Sequence, residues 1–427
     1  MNTRYKKFNT VAEWLDWQTQ LHSQAIDLGL DRIRPVFSRL VTNPLAGKTI
    51  LVGGTNGKGS TVAFLEAIYT AAGYQVGTYT SPHLIFYNER IRLQGDPVSD
   101  AQLCEAFDHV EQAREGDHLT YFEFGTLAAF DIFQRQSLDV VILEIGLGGR
   151  LDVVNLADAD VSLITNIALD HTDWLGDTRE KIAMEKIGIS RANKPLVFVD
   201  EDLPDNARAY CNQHNVDLYQ AGKDFQYKLA EKTWHWSSGD KKYLSLTPPG
   251  LSGEHQFKNA AGVLMVVSLL GQALPLSMPH IRLGLSGATL PGRFQIEQLA
   301  GDGQNIQIFD VAHNPHGINA FLTSLNKLPK IGDHHLIFCM LKDKALDEVI
   351  ALLKPQIDEW YVTTIDEPRG LNAAELKQRL IEADIPKEKI FCFEKPLQAY
   401  ESARSRLQIH DKLLALGSFY VVADLLV

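Results

Sequence analysis

The chain has 427 residues, of which 41 are Lys or Arg and 53 are Asp or Glu, which gives a formal net charge of −12. A single hydrophobic core rarely serves more than about 250–300 residues, so this length predicts two domains. The negative charge argues against general nucleic-acid binding, which needs a basic surface to displace counterions from phosphates. An anionic small-molecule ligand is compatible with this charge, because a locally positive pocket can exist in an acidic protein.

Cysteine spacing and hydropathy predict a cytoplasmic protein. The four cysteines lie far apart, and no pair has the spacing typical of a zinc cluster or a disulfide framework, so we expect buried thiols in a reducing compartment. The opening sequence MNTRYKKFNT has no apolar stretch after its basic residues and predicts no signal peptide. No window of about 18 uninterrupted apolar residues is present, so we expect no membrane span.

Apolar runs and helical periodicity alternate through the first part of the chain. We expect strands at Lys48–Val52, Gln75–Tyr79, Asp139–Ile145, Asp160–Thr165 and Pro195–Val199, and helices from Ser60 to Gly73 and over Thr178–Ile189. The run 139–145 barely alternates, which is typical of a strand buried on both faces. This alternation predicts a parallel sheet with helices on both faces. A small antiparallel excursion is expected between Asp224 and Pro249.

The same alternation restarts near residue 304 and predicts a second, smaller α/β domain. The expected strands are Gln304–Phe309, His335–Met340, Trp360–Thr364 and Leu413–Leu416, and the expected helices are Pro315–Leu325, Leu346–Leu353 and Ala373–Glu382. The boundary is expected near Ser286–Gly292, where Gly, Ser and Pro are concentrated. We therefore predict domains over residues 1–288 and 289–427.

The strongest local signal is the segment Gly53–Thr61 (GGTNGKGST), here called the phosphate loop, which follows a predicted strand and opens a predicted helix. Glycines let backbone N–H groups surround phosphate oxygens, and the helix N-terminus adds positive partial charge. Lys58 supplies a point charge for phosphates, and Ser60 offers a hydroxyl to magnesium. The match to the generic pattern G-x-x-x-x-G-K-[ST] is imperfect, because Gly59 separates Lys58 from Ser60 and Val52 replaces the first glycine.

Further polar side chains follow predicted strands, at the edge where ligands bind in open α/β sheets. Glu144 precedes a glycine cluster and either holds magnesium or pairs with an arginine. His171 has carboxylates on both sides in sequence, a pattern more typical of a hydrogen-bonded surface residue than of a ligand. Asp310 and His313 follow the first strand of the second domain. Arg293, at the domain boundary, either binds phosphate through its planar fork or holds the linker by a salt bridge.

The chain resembles the Mur ligase superfamily through motifs in a fixed order: GTNGKGS, TSPHL, EIGLGGRLDVVN, LDHTDWLGDT, EKIGI, LPGRF and DVAHNPHG. Within it, the resemblance is to the bacterial bifunctional folylpolyglutamate synthases and dihydrofolate synthases. It covers nearly the whole chain, because Leu413–Leu426 also resembles the C-terminal strand and helix of that family. The resemblance implies a P-loop Mur-ligase-type domain with a mainly parallel sheet and a smaller Rossmann-like C-terminal domain that closes over ATP.

The resemblance implies an ATP-dependent amide ligase. In that family a substrate carboxylate attacks the γ-phosphate, and the amine of glutamate then attacks the acyl phosphate. The implied small molecules are dihydropteroate, reduced folates, L-glutamate, ATP and Mg²⁺ at two sites. A monomer without nucleic-acid or membrane partners is expected. A monofunctional folylpolyglutamate synthase, a peptidoglycan Mur ligase and, in another class, a phosphate-loop NTPase switch stay open as alternatives.

The resemblance also implies roles for residues that match the family motifs. The implied nucleotide contacts are Gly54, Thr55, Asn56, Gly57, Lys58, Gly59, Ser60, Thr61, Asn259, Arg293 and Asp310. The implied catalytic residues are Lys58, Lys186, His171 and His313, and the implied metal ligands are Ser60, Ser81, Glu144, His171 and Lys186. Lys186 matches a lysine that is carbamylated in these ligases, a change that turns a cation into an anion able to help hold the second metal.

Two segments and several single residues match the folate side of the family. The implied substrate contacts are Leu28, Gly29, Leu30, Asp31, Ser81, Pro82, Tyr121, Phe122, Glu123, Phe124 and Leu151. Aromatic rings can stack on a flat pterin, and a carboxylate can accept hydrogen bonds from its amino groups. Core packing is the competing interpretation for residues 28–31 and 121–124.

Overall fold

The computed structural model describes residues 7–24, 26–299, 305–367 and 369–426. Residues 1–6, which begin the segment inspected for a signal peptide, and Gln304 of one predicted strand lie outside these residues. The chain divides into two compact units, one comprising Met1–Pro249 with Lys258–Ala288 and the other Gly250–Phe257 with Thr289–Val427. The short segment 250–257 thus groups with the C-terminal unit, so no single position in the sequence separates the two units.

An eight-stranded sheet forms the centre of the first unit. Its strands are β1 (Lys48–Gly53), β2 (Val76–Tyr79), β3 (Ile91–Leu93), β4 (Asp96–Pro97), β5 (Val140–Glu144), β6 (Val161–Ile164), β7 (Pro195–Phe198) and β8 (Asp217–Gln220). The order is β4-β3-β2-β5-β1-β6-β7-β8, parallel from β2 to β8 with β3 and β4 as an antiparallel edge. Strand β5 is buried at every residue, as its lack of alternation predicts.

Helices surround this sheet, and a second, smaller sheet follows it in the chain. The helices are α1 (Val11–Gln18), α2 (Arg34–Leu40), α3 (Lys58–Ala71), α4 (Asp100–Arg114), α5 (Tyr121–Gln134), α6 (Thr172–Leu175), α7 (Arg179–Ile187), α8 (Asp205–Gln213), α9 (His255–Leu269) and α10 (Met278–Gly287). The predicted antiparallel excursion is a three-stranded sheet of β9 (Gln226–Leu229), β10 (Trp234–Ser238) and β11 (Lys241–Leu246). The indole N–H of Trp236 donates to the carbonyl of Ala261 at 3.0 Å, which attaches this sheet to α9.

The second unit contains a six-stranded sheet. Its strands are β12 (Gln295–Gln298), β13 (Ile306–Phe309), β14 (His334–Phe338), β15 (Glu359–Thr363), β16 (Ile390–Phe393) and β17 (Lys412–Leu416), with helices α11 (Pro315–Leu325), α12 (Leu346–Leu353), α13 (Ala373–Glu382), α14 (Pro396–Arg406) and α15 (Phe419–Leu426). The order is β12-β13-β17-β14-β15-β16, parallel except for β12. The predicted fold class is confirmed, and most predicted elements end within two residues of the observed ones.

The cysteine expectation was only partly right. Cys211 and Cys339 are buried, Cys104 is half-buried and Cys392 is exposed, and all four thiols are free. Cysteine spacing predicts that there is no disulfide framework. It does not indicate which thiols the helices and strands bury. No helix in the described ranges is long and apolar enough to cross a membrane.

Candidate active site

The phosphate loop runs from the last residue of β1 into α3, and two of its glycines are required by close neighbours. Gly54 and Gly57 have φ values of +137° and +86°, which side-chain-bearing residues rarely adopt. A Cβ on Gly54 would lie 1.8 Å from the hydroxyl of Thr165, and one on Gly57 would lie 2.9 Å from the amide oxygen of Asn259. The predicted nucleotide contact Asn259 therefore faces the phosphate loop directly.

The ammonium group of Lys58 lies against the phosphate loop. Its Nζ donates to the carbonyls of Gly54 and Thr55 at 3.1 and 3.2 Å. The charge of Lys58 also acts on the pKa values of two buried groups, the amine of Lys186 and the carboxyl of Asp152. These three ionisable side chains therefore occupy one region at the start of α3.

Hydrogen bonds join the phosphate loop to the segment that follows β6. The backbone N–H groups of Thr55 and Asn56 donate to the carbonyl and side-chain oxygens of Asn166 at 3.0 and 3.1 Å. Thr165 Oγ1 and Asn166 Nδ2 donate back to the carbonyl of Asn56 at 2.6 and 2.9 Å, and Ala168 N donates to Thr55 Oγ1 at 3.0 Å. Because β1 and β6 are adjacent and parallel, both segments leave the sheet at the same edge.

Two predicted metal ligands meet at the ends of β2 and β5. Glu144 is 4% exposed, and its carboxylate accepts a hydrogen bond of 3.2 Å from the backbone N–H of Ser81. Ser60, a third predicted ligand, is buried in the first turn of α3. Carboxylate and hydroxyl oxygens are the hard ligands that Mg²⁺ prefers. Within the described ranges, no three His, Cys, Asp or Glu side chains gather in a metal-binding group, so a metal here would depend on hydroxyls and ligand oxygens as well.

Lys186 on α7 is 3% exposed. Burial and the nearby charge of Lys58 lower its pKa to about 7, and Asp170 opposes this shift. The glycine cluster after β5 packs on the same helix, since Arg150 N donates to the carbonyl of Glu185 at 2.7 Å. The helix that carries Lys186 is thus bonded to the loop that follows Glu144. The sequence around Lys186 does not predict this contact.

His171 lies at the start of the short helix α6, after the segment bound to the phosphate loop. Its φ is +51°, and its backbone N–H donates to Asp170 Oδ1 at 2.9 Å. His171 therefore follows the segment bonded to the phosphate loop, and α6 contacts α7, the helix that carries Lys186. Asp170, for which the sequence predicted no role, is one of the charged groups around Lys186.

An ion pair joins the residue that follows the predicted segment 28–31 to the predicted segment 121–124. Arg32 donates to both carboxylate oxygens of Glu123 at 2.8 and 2.9 Å. Glu123 also accepts from the backbone N–H of Thr120 at the start of α5. Phe124 is fully buried against aromatic residues of α1 and α4. Glu123 and Phe124 thus have protein partners, as the core-packing interpretation expects, whereas Tyr121 is half-buried; a role of these residues in folate binding stays a prediction.

Other predicted folate-side residues are more accessible. Leu28, Gly29 and Leu30 are half-buried and Asp31 is exposed in the loop between α1 and α2, and this loop is tied to α5 through Arg32. Pro82 is exposed, and Ser81, Phe122 and Leu151 are half-buried. The ring of Phe122 covers Gly146, where a Cβ would lie 2.3 Å from it. Phe122 therefore lies beside the glycine cluster that follows Glu144.

Arg90 is a candidate that the sequence did not indicate. It is 8% exposed, and its guanidinium lies over the rings of Tyr87 and Tyr121 at 5.1 and 5.7 Å. Its Nε donates to His83 Nδ1 at 2.9 Å, and burial together with the charge of Arg90 lowers the pKa of His83 to about 4, so this imidazole is neutral. No carboxylate of the described residues pairs with Arg90, and no local pattern marks such an arginine.

Asp152 is a second residue that the sequence did not single out. Its carboxylate accepts backbone hydrogen bonds of 2.8 Å from Leu147 and from Val154. Burial raises its pKa to about 6, against the effect of these bonds and of Lys58. Asp152 therefore shapes the loop that carries Leu151.

Three predicted residues lie together in the second unit. The Arg293 guanidinium lies 5.1 Å from the ring centre of Phe419, and burial raises the pKa of Asp310 while the charge of Arg293 opposes the shift. Asp310 accepts two backbone hydrogen bonds of 2.8 Å. His313 Nδ1 donates to the carbonyl of Val311 at 2.9 Å. Asp310 and His313 both follow the carboxyl end of β13, as predicted.

Comparison with known proteins identifies the group to which this architecture belongs. The Mur ligase middle domain model matches residues 52–267, and the Mur ligase glutamate ligase domain model matches residues 292–419. The dihydrofolate synthase/folylpolyglutamate synthase of Escherichia coli K12 is 39% identical over 97% of this chain and 94% of its own length. The chain belongs to this family of Mur ligases.

Solved structures of dihydrofolate synthase/folylpolyglutamate synthases share the fold over the full length. E. coli FolC in complex with DHPP and ADP is 39% identical with a TM-score of 0.91, covering 98% of this chain and 97% of that chain. A bifunctional enzyme of this family with Mn, AMPPNP and L-glutamate bound is 39% identical with a TM-score of 0.90, covering 99% of each chain. The predicted family, fold and ligase class are confirmed, whereas the roles of individual residues stay predictions.

Proposed function

We propose that this chain joins L-glutamate to dihydropteroate, giving dihydrofolate, and to the γ-carboxylate of reduced folates. The acceptor carboxylate attacks the γ-phosphorus of ATP and ADP leaves; the glutamate amine then attacks the acyl carbon, releasing phosphate and a proton. The observation that carries this proposal is the convergence of the phosphate loop, the Ser81–Glu144 pair and Lys186 on one edge of the eight-stranded sheet.

The phosphate loop and Lys58 are proposed to bind the ATP phosphates through backbone N–H groups and the ammonium charge. Ser60, Ser81 and Glu144 would hold one Mg²⁺, and His171 with a carbamylated Lys186 would hold a second. Oxygen donors beside the phosphates suit Mg²⁺, because this ion prefers oxygen ligands and usually takes several of them from water and substrate phosphates. When bound, Mg²⁺ neutralises phosphate charge, so that an anionic carboxylate can approach.

The environment of Lys186 supports its carbamylation. At pH 7 a lysine with an ordinary pKa of 10.5 is unprotonated in about one molecule in three thousand, whereas Lys186, with a pKa of about 7, is unprotonated in about half. The unprotonated amine attacks CO₂, forming an N–C bond and releasing a proton. The resulting carbamate is an anion near Lys58, which removes the unfavourable proximity of the buried Lys186 cation to the half-buried Lys58 cation.

Arg90 is proposed to bind the acceptor carboxylate. A buried guanidinium without a carboxylate partner is unfavourable unless a ligand supplies the opposite charge. The carbonyl of Arg90 accepts from Thr80 N at 2.8 Å, so this arginine lies next to Ser81 at the end of β2. Tyr121, whose ring contacts the guanidinium, belongs to the segment predicted to adjoin the pterin. One pocket wall would thus offer a cation and aromatic surface to a folate-type acid.

The remaining assignments rest on the resemblance. Arg293, Asp310 and His313 are proposed to contact the nucleotide, within a second domain spanning residues 289–427. The expected setting is the cytoplasm, and the expected state is a monomer.

A side-by-side assay tests the proposal. Purified protein is supplied with ATP, Mg²⁺, L-glutamate and either dihydropteroate or tetrahydrofolate, and phosphate release is measured together with product mass. Both acceptors are expected to gain glutamate, and phosphate release is expected to require both acceptor and glutamate. Extension of tetrahydrofolate alone would instead indicate a monofunctional enzyme. Phosphate release that is independent of glutamate would contradict the proposal.

A further inference from the structure

The loop between β2 and β3 carries an aromatic side chain that the proposed mechanism does not use. Phe86 is 67% exposed, the largest value among the exposed large apolar side chains of the described residues. A single exposed apolar residue is ordinary by itself. Phe86 differs because it lies between Ser81, which is proposed to hold Mg²⁺, and Arg90, which is proposed to bind the acceptor carboxylate.

The backbone of this loop is fixed by one carboxylate. Glu89 accepts hydrogen bonds from the consecutive backbone N–H groups of Leu84, Ile85 and Phe86 at 2.8, 3.0 and 2.7 Å. Asn88 Nδ2 donates to the carbonyl of Val98 at 2.7 Å, which holds the other side of the loop. The backbone position from which the exposed Phe86 side chain projects is therefore fixed.

The two acceptors differ in what lies next to the reacting carboxylate. In dihydropteroate the carboxylate is bonded directly to the benzoyl ring. In a folate, the reacting γ-carboxylate is separated from that ring by one glutamyl residue, about 6 Å of extended chain. If Arg90 holds the reacting carboxylate in both cases, the benzoyl ring lies beside this loop only when dihydropteroate is bound.

We infer that the ring of Phe86 packs on the benzoyl ring of dihydropteroate and favours this acceptor over folates. The inference rests on the proposed function and makes Phe86 a specificity-determining residue of the same site. Ring pairs of this kind prefer stacked or edge-to-face contact, and their loss weakens binding of the ligand that makes the contact. A folate would place its aliphatic glutamyl portion near Phe86 and would depend on the ring much less.

The test compares kcat/KM for dihydropteroate and tetrahydrofolate in Phe86→Ala, Phe86→Leu and Phe86→Tyr. For Phe86→Ala we expect kcat/KM with dihydropteroate to fall about tenfold, while the value for tetrahydrofolate changes less than about twofold. Phe86→Tyr is expected to retain the wild-type ratio, and Phe86→Leu to lie between. Leu283→Ala on α10, which removes a side chain that is 62% exposed, is the matched control and should leave both values unchanged.

Equal losses with both acceptors, or no loss with either, would overturn the assignment of Phe86. Thermal unfolding of each variant checks that the loop change has not altered the fold, and Phe86→Leu serves if the alanine variant is unstable. Wild-type protein that fails to convert dihydropteroate at all would contradict the proposed function itself, so the two failures are distinguishable.

Discussion

The backbone N–H of Ser81 donates a 3.2 Å hydrogen bond to the carboxylate of Glu144, across the ends of two adjacent parallel strands. The last paired residues of β2 and β5 are Tyr79 and Leu143, so the Ser81–Glu144 hydrogen bond lies just beyond the paired part of the two strands. The orientation of a buried carboxylate is thus set by backbone geometry. A carboxylate fixed in this way is prepared to receive a cation without first being ordered.

The first prediction concerns Glu144→Gln. The amide oxygen still accepts from Ser81, but the negative charge is lost, so the Mg²⁺ concentration for half-maximal activity should rise about tenfold or more. A Mg²⁺ titration of ligase activity measures this, with thermal unfolding to show that the fold is kept. Glu105→Gln, at the protein surface, should titrate as the wild type does. An unchanged midpoint in Glu144→Gln would exclude Glu144 from metal binding.

The second prediction concerns Lys186→Ala. Loss of the carbamate should reduce kcat by about 100-fold or more, and short carboxylic acids such as acetate should restore part of it by supplying an anion. Because the pKa of Lys186 is about 7, the wild-type carbamate should be lost as pH falls through 7, when protonation removes the amine that attacks CO₂. Intact mass measured without acid should show an additional 44 Da, about the mass of CO₂. Lys181→Ala, which is exposed on the same helix, is the control, and an unmodified, fully active wild type would rule out the carbamate.

The third prediction separates ligand binding by Arg90 from a structural role. Arg90→Met should raise KM for both acceptors about tenfold or more, because a charge-assisted, two-armed contact is lost. The same change should leave thermal stability unchanged or higher, because it removes a buried cation that has no acidic partner in the described part of the chain. Arg90→Lys should recover only part of the affinity. A large drop in stability without a change in KM would indicate that Arg90 serves packing alone.

The fourth prediction concerns stability and is independent of function. Gln18, at the end of α1, is 1% exposed, and among the described residues neither its amide nitrogen nor its amide oxygen has a hydrogen-bond partner. Gln18→Leu removes these unsatisfied groups at similar volume and should stabilise the first unit by about 1–2 kcal/mol. Urea unfolding followed by tryptophan fluorescence measures the effect. The exposed Gln20→Leu should change little, and a destabilised Gln18→Leu would show that the amide is solvated or bound.

The sequence predicted those features whose cause is local. The run 48–52 and the helix 346–353 are delimited by their own apolar patterns, and the observed elements begin and end within a residue of the prediction. The phosphate loop was equally visible, because its glycines, lysine and hydroxyl are contiguous. Lys186 needed the family resemblance, since a lysine on a helix is usually solvated and only the fold places it beside Lys58.

Features that depend on distant partners could not be predicted. Arg32 and Glu123 are 91 residues apart, and nothing in either segment indicates that they form an ion pair. Arg90 lies in a segment without periodicity, and its guanidinium is covered by Tyr87 of the same segment and by Tyr121 of α5, which is distant in sequence. For the same reason the sequence cannot distinguish a ligand-binding Glu123 from one that caps a helix and pairs with an arginine, as it does in the structure.

The hydrogen bonds between the phosphate loop and residues 165–168 have a consequence for engineering. Hydrogen bonds of 2.6–3.2 Å connect Thr55 and Asn56 to Thr165, Asn166 and Ala168, two stretches more than a hundred residues apart. A chimera that takes the loop from one relative and the later stretch from another would break donor–acceptor matches on both sides. Gene fusions between members of this family should therefore keep both stretches from the same parent.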